Sequence, residues 1–272
     1  MNRQLGFFTF AAIIVSAFLL FQITTGCGRQ NLLPGSPSAF LQGREAYYRG
    51  DYDTALTLLN QATTEGTSAE QREARSIRNR ILSAQSGTDT ISVIEKILSG
   101  VDLSGAGTKE TGSLIGTIIP TTEAERANAR SAANGWNEQI RLGEVSTQSA
   151  EAPEVALANA QAAASALTDA FDTGDGVLEA ADVENLSGDE VAALWTVANG
   201  GTTESGASGG ITEYLQNTLD FGGGLAGEQI GINSGSIGAT NESIADINTR
   251  ILNGEITGAQ LAEFLGRGSG GN

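Results

Sequence analysis

The chain of 272 residues contains no histidine, one cysteine and four prolines. Histidine is the side chain used most often for acid–base catalysis near neutral pH, and it is also the commonest neutral metal ligand. A single cysteine cannot build a disulfide framework or a cysteine-based zinc site. These absences exclude histidine-dependent catalytic triads and zinc hydrolysis, and we expect no enzymatic activity.

Positive charge is also scarce, because 15 Lys and Arg residues stand against 32 Asp and Glu residues, for a net charge of −17. Residues 142–249, here called the acidic window, contain no Lys or Arg and 17 carboxylates, whereas the rest of the chain balances 15 acidic against 15 basic residues. Binding to nucleic-acid phosphates requires cations, so we expect no nucleic-acid partner. The carboxylates of the window must face water, bind cations or meet a basic partner.

The first 26 residues have the pattern of an export signal, with Arg3 near the start, a long apolar run, and Gly26 before the only cysteine, Cys27. This segment resembles the lipobox of bacterial lipoproteins, although Thr24 stands where leucine is usual. The resemblance implies that residues 1–26 are a signal peptide and that Cys27 carries a diacylglycerol and palmitate anchor. An uncleaved membrane anchor helix and ordinary cleaved secretion are the alternatives.

Residues 27–38 include two prolines and are expected to be a lipidated tether between membrane and folded domain. In the same family resemblance, Gly28 after the cysteine implies the outer membrane. The expected location is therefore the cell envelope, lipid-anchored, at the outer membrane facing the periplasm. Calcium in such a compartment makes weak calcium sites usable.

Small and large apolar residues alternate at three- and four-residue steps through residues 40–62, which indicates two closely packed antiparallel helices. Residues 36–69 resemble a tetratricopeptide repeat, a two-helix unit of about 34 residues. Gly43, Ala55 and Ala62 match the family's small-residue positions. Because one unit cannot bury its own face, residues 68–84 are expected to pack as a third helix.

The predicted third helix carries Arg72, Arg75 and Arg78 at three-residue spacing. One interpretation is a docking surface for an acidic peptide or for lipid headgroups, which makes these three arginines candidate partner-binding residues. The alternative is a solvated helix face whose arginines pair with Glu70 and Glu73.

Beyond the tetratricopeptide-like region at 39–100 and a loop or linker at 101–121, alanine and glycine dominate an acidic region at 122–266, before a short flexible tail at 267–272. Helical periodicity recurs through the acidic region without the alternation typical of strands. The predicted fold class is all-α, with an N-terminal tetratricopeptide-like helical hairpin region followed by a Gly/Ala-rich acidic helical region. The expected helices span residues 91–98, 122–142, 153–170, 187–198, 211–221, 241–252 and 257–265.

Residues 172–182 combine early carboxylates, a turn glycine and an aliphatic residue two places later. Calcium suits such a segment, because it takes about six to eight oxygen ligands. The segment resembles an EF-hand loop, although it is one residue short. The resemblance implies five calcium ligands, with Val177 contributing its carbonyl: Asp172, Asp175, Val177, Glu179 and Asp182.

The alternative interpretation of this segment is a glycine-rich acidic turn between two helices, with Asp182 as a helix cap. A weaker copy of the pattern lies at residues 253–261. EF-hands usually occur in pairs, so this copy is a candidate partner for the first loop. It is not expected to hold an ion, because Thr249, Ile251 and Gln260 occupy ligand positions.

Two compatible functions follow from these features. The first is a lipid-anchored envelope scaffold or adaptor that binds a protein partner through its tetratricopeptide-like helices. The second is a calcium-binding lipoprotein that uses the EF-hand-like loop as a sensor or stabiliser.

Overall fold

The computed structural model describes residues 37–87, 120–174, 176, 178, 180–203, 208–229 and 243–264. These residues form helices and connecting turns without any strand, which confirms the predicted all-α class. From Ser38 onward they belong to one compact unit. The helices are α1 (Ala39–Tyr48), α2 (Tyr52–Glu65), α3 (Ser68–Gln85), α4 (Glu123–Arg141), α5 (Ala152–Phe171), α6 (Ala180–Val183), α7 (Gly188–Ala198), α8 (Ile211–Gln229), α9 (Ile244–Leu252) and α10 (Gly258–Phe264).

Six of these helices stack side by side in chain order. The helices α1 to α5 each pack against the next, and α5 packs against α8. Alternate helices also meet, since Arg44 of α1 lies 3.6 Å from Glu73 of α3, and Arg80 of α3 lies 2.7 Å from Glu154 of α5. We call the side on which these contacts lie the α1/α3/α5 face.

The first two helices approach closely because small residues lie where they cross. Ala55 and Ala62 of α2 are buried, and a Cβ atom at Gly43 of α1 would lie 3.0 Å from Cγ of Leu59. Gly50 has φ +74°, a left-handed conformation that lets the chain reverse between α1 and α2. The three helices predicted for this region are present, with the predicted small residues between them.

The third helix, α3, is buried on two sides that differ in polarity. Its apolar side, which includes Ile77, joins a hydrophobic cluster with α1 and α2. On its polar side, the Ser76 hydroxyl donates to the side-chain amide oxygen of Gln139 at 3.2 Å, and Asn79 packs directly against Gly135 of α4. A side chain at Gly135 would overlap the Asn79 amide, so this glycine is needed for the close contact between α3 and α4.

The larger hydrophobic core surrounds α5, which is buried along most of its length. Trp136, Trp195 and Tyr214 are among its largest side chains. The Trp195 indole N–H donates to Asn248 at 2.8 Å, and the Tyr214 hydroxyl donates to Asn134 at 2.9 Å. Burial raises the pKa of Tyr214 to about 12, so its hydroxyl stays protonated and keeps this hydrogen bond.

Two short helical units, α6 with α7 and α9 with α10, pack crosswise, since α7 contacts α9 and α10 contacts α6. Their backbones meet at glycines. The Gly258 N–H donates to the Leu186 carbonyl at 2.9 Å, and a Cβ atom at Gly188 would lie 2.0 Å from the Gly254 carbonyl oxygen. A Cβ atom at Gly258 would lie only 1.7 Å from the Val183 carbonyl oxygen.

The predicted helices of the acidic region are present, with limits that differ by a few residues at most sites. The exception is α8, which continues to Gln229 instead of ending near residue 221. Glycines at 222–224 have low helix propensity, but tertiary packing commonly outweighs propensity. Within the described residues, no helix combines the length and apolar character needed to cross a membrane. The signal segment, Cys27, the tether up to residue 36, the helix at 91–98, most of the linker and the tail lie outside the described residues.

Candidate functional sites

Arginines at residues 75–141 contact carboxylates of the acidic window. They lie on α3 and α4, whereas their partners lie on α5, on α8 and in the turn after α4. One carboxylate, Asp169, accepts from two arginines, which engage its two oxygens separately. The pairs are Arg75–Glu144, Arg80–Glu154, Arg126–Asp169, Arg130–Asp169 and Arg141–Glu213.

Two of these contacts are shielded from water. The Arg75 Nε donates to Glu144 at 3.1 Å, and the two side chains are only 19% and 17% exposed. Arg126 is 12% exposed and donates to Asp169 at 2.6 Å. Shielded pairs are screened less by salt than surface pairs. In the described part of the chain, four carboxylates of the acidic window, Glu144, Glu154, Asp169 and Glu213, therefore have arginine partners within the same chain.

The three candidate partner-binding arginines have different surroundings. Arg72 is exposed and has no ion pair with the residues that the structure describes. Arg75 is already paired with Glu144. Arg78 is half-buried, and its closest polar contact is the Asn60 side-chain oxygen at 3.5 Å. The predicted pairing of this face with Glu70 and Glu73 does not occur, because Glu70 caps α3 through Thr67 and Glu73 pairs with Arg44.

The Arg78 guanidinium is held in an unfavourable environment. Its Nε atom is buried without a hydrogen-bond acceptor in the described part of the chain. Burial lowers the pKa of this guanidinium, and the nearby charge of Arg75 lowers the pKa further. A desolvated charge without a carboxylate partner destabilises the folded state.

Methionine at position 78 is therefore expected to stabilise the protein by about 1 kcal/mol, because it removes a poorly solvated charge and keeps an apolar side chain of similar length. The matched variant Arg75→Met should instead destabilise by about 2 kcal/mol, because it leaves Glu144 without its partner. Urea denaturation of both variants measures these changes. A loss of stability in Arg78→Met would contradict the environment inferred for Arg78.

The EF-hand-like loop is partly described, because Asp175, Val177 and Glu179 lie outside the described residues. The Asp172 carboxylate accepts from the N–H groups of Gly174 and Gly176, at 3.1 and 2.9 Å. The Thr173 hydroxyl donates to Asp182 at 2.7 Å, which brings the two ends of the loop together.

Some other features of the loop favour cation binding, and others oppose it. Gly176 has φ +84°, the sharp turn that an EF-hand loop requires at this glycine, and Leu178 is buried. A Cβ atom at Gly176 would lie 4.0 Å from the Arg126 guanidinium, and the positive charge of this guanidinium opposes cation binding in the loop. Among the residues that can be described, no three acidic side chains group into a metal site.

The weaker copy of the loop pattern contacts a different part of the chain. Its Gly254 and Gly258 lie against residues 183–189, at the turn between α6 and α7. Gln260 does not face a loop centre, because its side chain caps α10 by accepting from the Thr257 N–H at 3.0 Å. The weaker copy was expected to pair with the EF-hand-like loop at residues 172–182. In the structure it packs against residues 183–189, which follow that loop.

A tyrosine cluster at the α1/α2 turn was not identified from the sequence. The Tyr47 ring centroid lies 5.5 Å from that of Tyr48 and 6.2 Å from that of Tyr52. Tyr48 is 76% exposed. Arg80 and Glu154 act electrostatically on Tyr47, which places the cluster beside the α1/α3/α5 face. The sequence alone does not indicate this cluster, because the turn at Gly50 is what brings Tyr52 next to Tyr47.

Comparison of the chain with protein-family models, with curated proteins and with solved structures finds no match.

Proposed function

We propose that this protein is a lipid-anchored scaffold or adaptor of the cell envelope that binds a protein partner through α1 to α3. The lipobox resemblance at Cys27 supports the anchor and the location. The side-by-side stack of antiparallel helices supports the scaffold, because such stacks present extended faces to partners. Enzymatic activity is not part of this proposal.

The observation that carries the proposal is the tyrosine cluster beside the α1/α3/α5 face, in which Tyr48 is exposed and Tyr47 and Tyr52 are half-buried. Tyrosine is enriched in protein interfaces because its ring buries a large apolar area while its hydroxyl still bonds to polar groups. Tyr48 has most of its ring available for such burial. The Arg80–Glu154 ion pair is near enough to act electrostatically on Tyr47, so it offers charged groups to a partner bound beside the cluster.

Photo-crosslinking in intact cells tests this function. A photoreactive phenylalanine analogue at Tyr48 is expected to give one predominant protein adduct. The matched control is the same analogue at Val197, which is also apolar and 61% exposed but lies on α7. The same adducts at both positions, or none at Tyr48, would contradict partner binding at the tyrosine cluster.

The anchor is tested separately by replacing Cys27 with serine. The full chain should incorporate labelled palmitate and partition into detergent, and Cys27→Ser should do neither. Unchanged membrane retention of the Cys27→Ser variant would favour an uncleaved anchor helix over lipidation.

Calcium binding is the second candidate function, supported by the loop closure between Thr173 and Asp182 and by the left-handed turn at Gly176. Of the described residues, Asp172 and Asp182 would contribute carboxylate oxygens. For a site of about 10⁻⁴ M affinity, 10 mM Ca²⁺ is expected to stabilise the protein by about 2.7 kcal/mol.

Asp172→Asn should abolish the calcium-induced shift in melting temperature, whereas the control Asp220→Asn, on the exposed surface of α8, should keep it. Equal shifts with Ca²⁺, Mg²⁺ and NaCl would indicate general screening of the acidic window instead of a site.

A further inference from the structure

The described part of the chain contains ten arginines, and eight of them form an ion pair with an aspartate or glutamate. The two exceptions, Arg72 and Arg78, lie on the same helix. In a chain with 32 carboxylates and 15 cations, unpaired arginines are not expected from composition. Both exceptions therefore require an explanation that is specific to α3.

Arg72, Arg75 and Arg78 form an oblique line across the surface of α3, because residues three apart are neighbours on a helix but each step is rotated by about 60° around its axis. We call this line the arginine ridge. Its surroundings are α2, through Asn60, and the turn after α4, through Glu144. The ridge is thus distinct from the α1/α3/α5 face, where Arg80 meets Glu154.

The position of Arg78 indicates a role outside the folding of the free chain. Its buried Nε has no acceptor, and the neighbouring charge of Arg75 adds repulsion. Residues that reduce stability in the free protein commonly serve a binding site, where the missing interaction is supplied by a ligand. A carboxylate near the exposed part of the Arg78 guanidinium would supply the missing charge.

We propose that the arginine ridge docks an acidic segment of a partner protein, with Arg72 and Arg78 each engaging a carboxylate. Arg75 lies between them, and its charge is already neutralised by Glu144. Six residues of helix separate Arg72 from Arg78, an axial rise of about 9 Å, and the two positions also lie about 120° apart around the helix axis. An extended peptide covers the axial rise alone in about three residues. A segment with glutamate at every third position therefore offers carboxylates at this spacing and at multiples of it.

An anionic membrane is a poorer fit for this surface. Membrane-binding segments commonly use clusters of about four to eight basic residues, whereas the ridge offers two arginines without a carboxylate. The net charge of −17 also repels an anionic bilayer. A short acidic segment carries few negative charges, so the negative field of the protein repels it less than it repels a bilayer. Its carboxylates can contact Arg72 and Arg78 directly.

This inference deepens the proposed scaffold function by naming the chemistry of a bound segment, and it is tested without the native partner. The probe is a fluorescent peptide with glutamate at every third position and Gly-Ser between, and the control peptide carries glutamine instead. Fluorescence polarisation with the purified protein, at low and at physiological salt, should show saturable binding of the glutamate peptide only. Because both protein and peptide are acidic overall, such binding cannot arise from net charge.

The double variant Arg72→Gln with Arg78→Gln should weaken binding at least tenfold. The matched control is Arg44→Gln with Arg49→Gln, which removes one arginine from α1 and the arginine that caps its C-terminus, and gives the same net charge. That control should keep the affinity within twofold. Arg72→Gln alone changes an exposed side chain and should still weaken binding about threefold, so the test does not depend on the folding of the double variant.

The proposal is overturned if the glutamate peptide does not bind, if the glutamine peptide binds equally, or if both double variants lose affinity equally. It is also overturned if vesicles of phosphatidylglycerol and phosphatidylethanolamine bind through the ridge while the peptide does not. The tyrosine-directed crosslinking in cells is independent of these results, so failure of the ridge and failure of the scaffold function are distinguishable.

Discussion

Alanine at position 258 is expected to destabilise the protein by about 3 kcal/mol, because its Cβ would overlap a backbone carbonyl that no side-chain rotation can move. The Cβ position lies 1.7 Å from the Val183 oxygen and 2.9 Å from the Leu186 nitrogen. Thermal and urea denaturation of Gly258→Ala measure this loss. The α9–α10 unit would have to separate from α6 and α7 to admit the methyl group.

Whether Gly258→Ala lowers or raises the free energy of unfolding distinguishes steric overlap from helix propensity. Gly258 begins α10 without a left-handed φ, so alanine would favour the helix by about 1 kcal/mol if the position were open. The control Gly50→Ala has open space but φ +74°, and it should lose only about 1 kcal/mol through backbone strain. An unchanged or raised stability in Gly258→Ala would contradict the crosswise packing of the two helical units.

Neutralising Asp169 is also expected to destabilise the protein. Asp169→Asn leaves Arg126 and Arg130 facing each other without the carboxylate that they share. Arg126 is only 12% exposed, so its uncompensated charge should destabilise the protein by about 2 kcal/mol, less than for a fully buried pair because Asp169 is partly hydrated.

Asp220→Asn is the matched control for this variant. It removes the same charge from an exposed position of α8, where the carboxylate accepts one hydrogen bond from Gln216. Its free energy of unfolding should stay within about 0.5 kcal/mol of the wild-type value. Equal losses in the two variants would show that net charge, and not the contact with Arg126 and Arg130, determines stability.

The helices were predictable because their signals are local. Thr67, Thr122 and Ser187 each cap a helix while a glutamate three residues later bonds back to the cap. Small residues at 43, 55 and 62 predict close helix crossings, and the structure places them at such crossings. These features require only sequence spacing within one or two helical turns.

The charge pairing was not predictable in the same way, because its partners are far apart in the chain. Arg75 and Glu144 are separated by 69 residues, and Arg80 and Glu154 by 74. The sequence left open whether the carboxylates of the acidic window face water, bind cations or meet a basic partner, and it identified no arginine as a partner. The spacing of Arg72, Arg75 and Arg78 suggested a common role, whereas the fold commits Arg75 to Glu144 and leaves the other two without a carboxylate in the described residues.

Arginines of α3 and α4 hold the acidic region of the chain in place through these pairs. Only arginines outside such pairs are available to a partner, which is the basis of the binding role proposed for the arginine ridge. The Arg75–Glu144 pair is the best place to test whether such pairs hold the acidic region, because both side chains are mostly buried and no second carboxylate contacts Arg75 in the described part of the chain.

The decisive measurement is a charge-reversal cycle at this pair, followed by urea denaturation. Arg75→Glu and Glu144→Arg should each destabilise the protein, because each places two like charges in contact. The double variant restores an ion pair with reversed polarity and should recover at least about 2 kcal/mol relative to the sum of the single losses. A double variant whose loss equals that sum would contradict the claim that internal arginine–carboxylate pairs hold the acidic region in place.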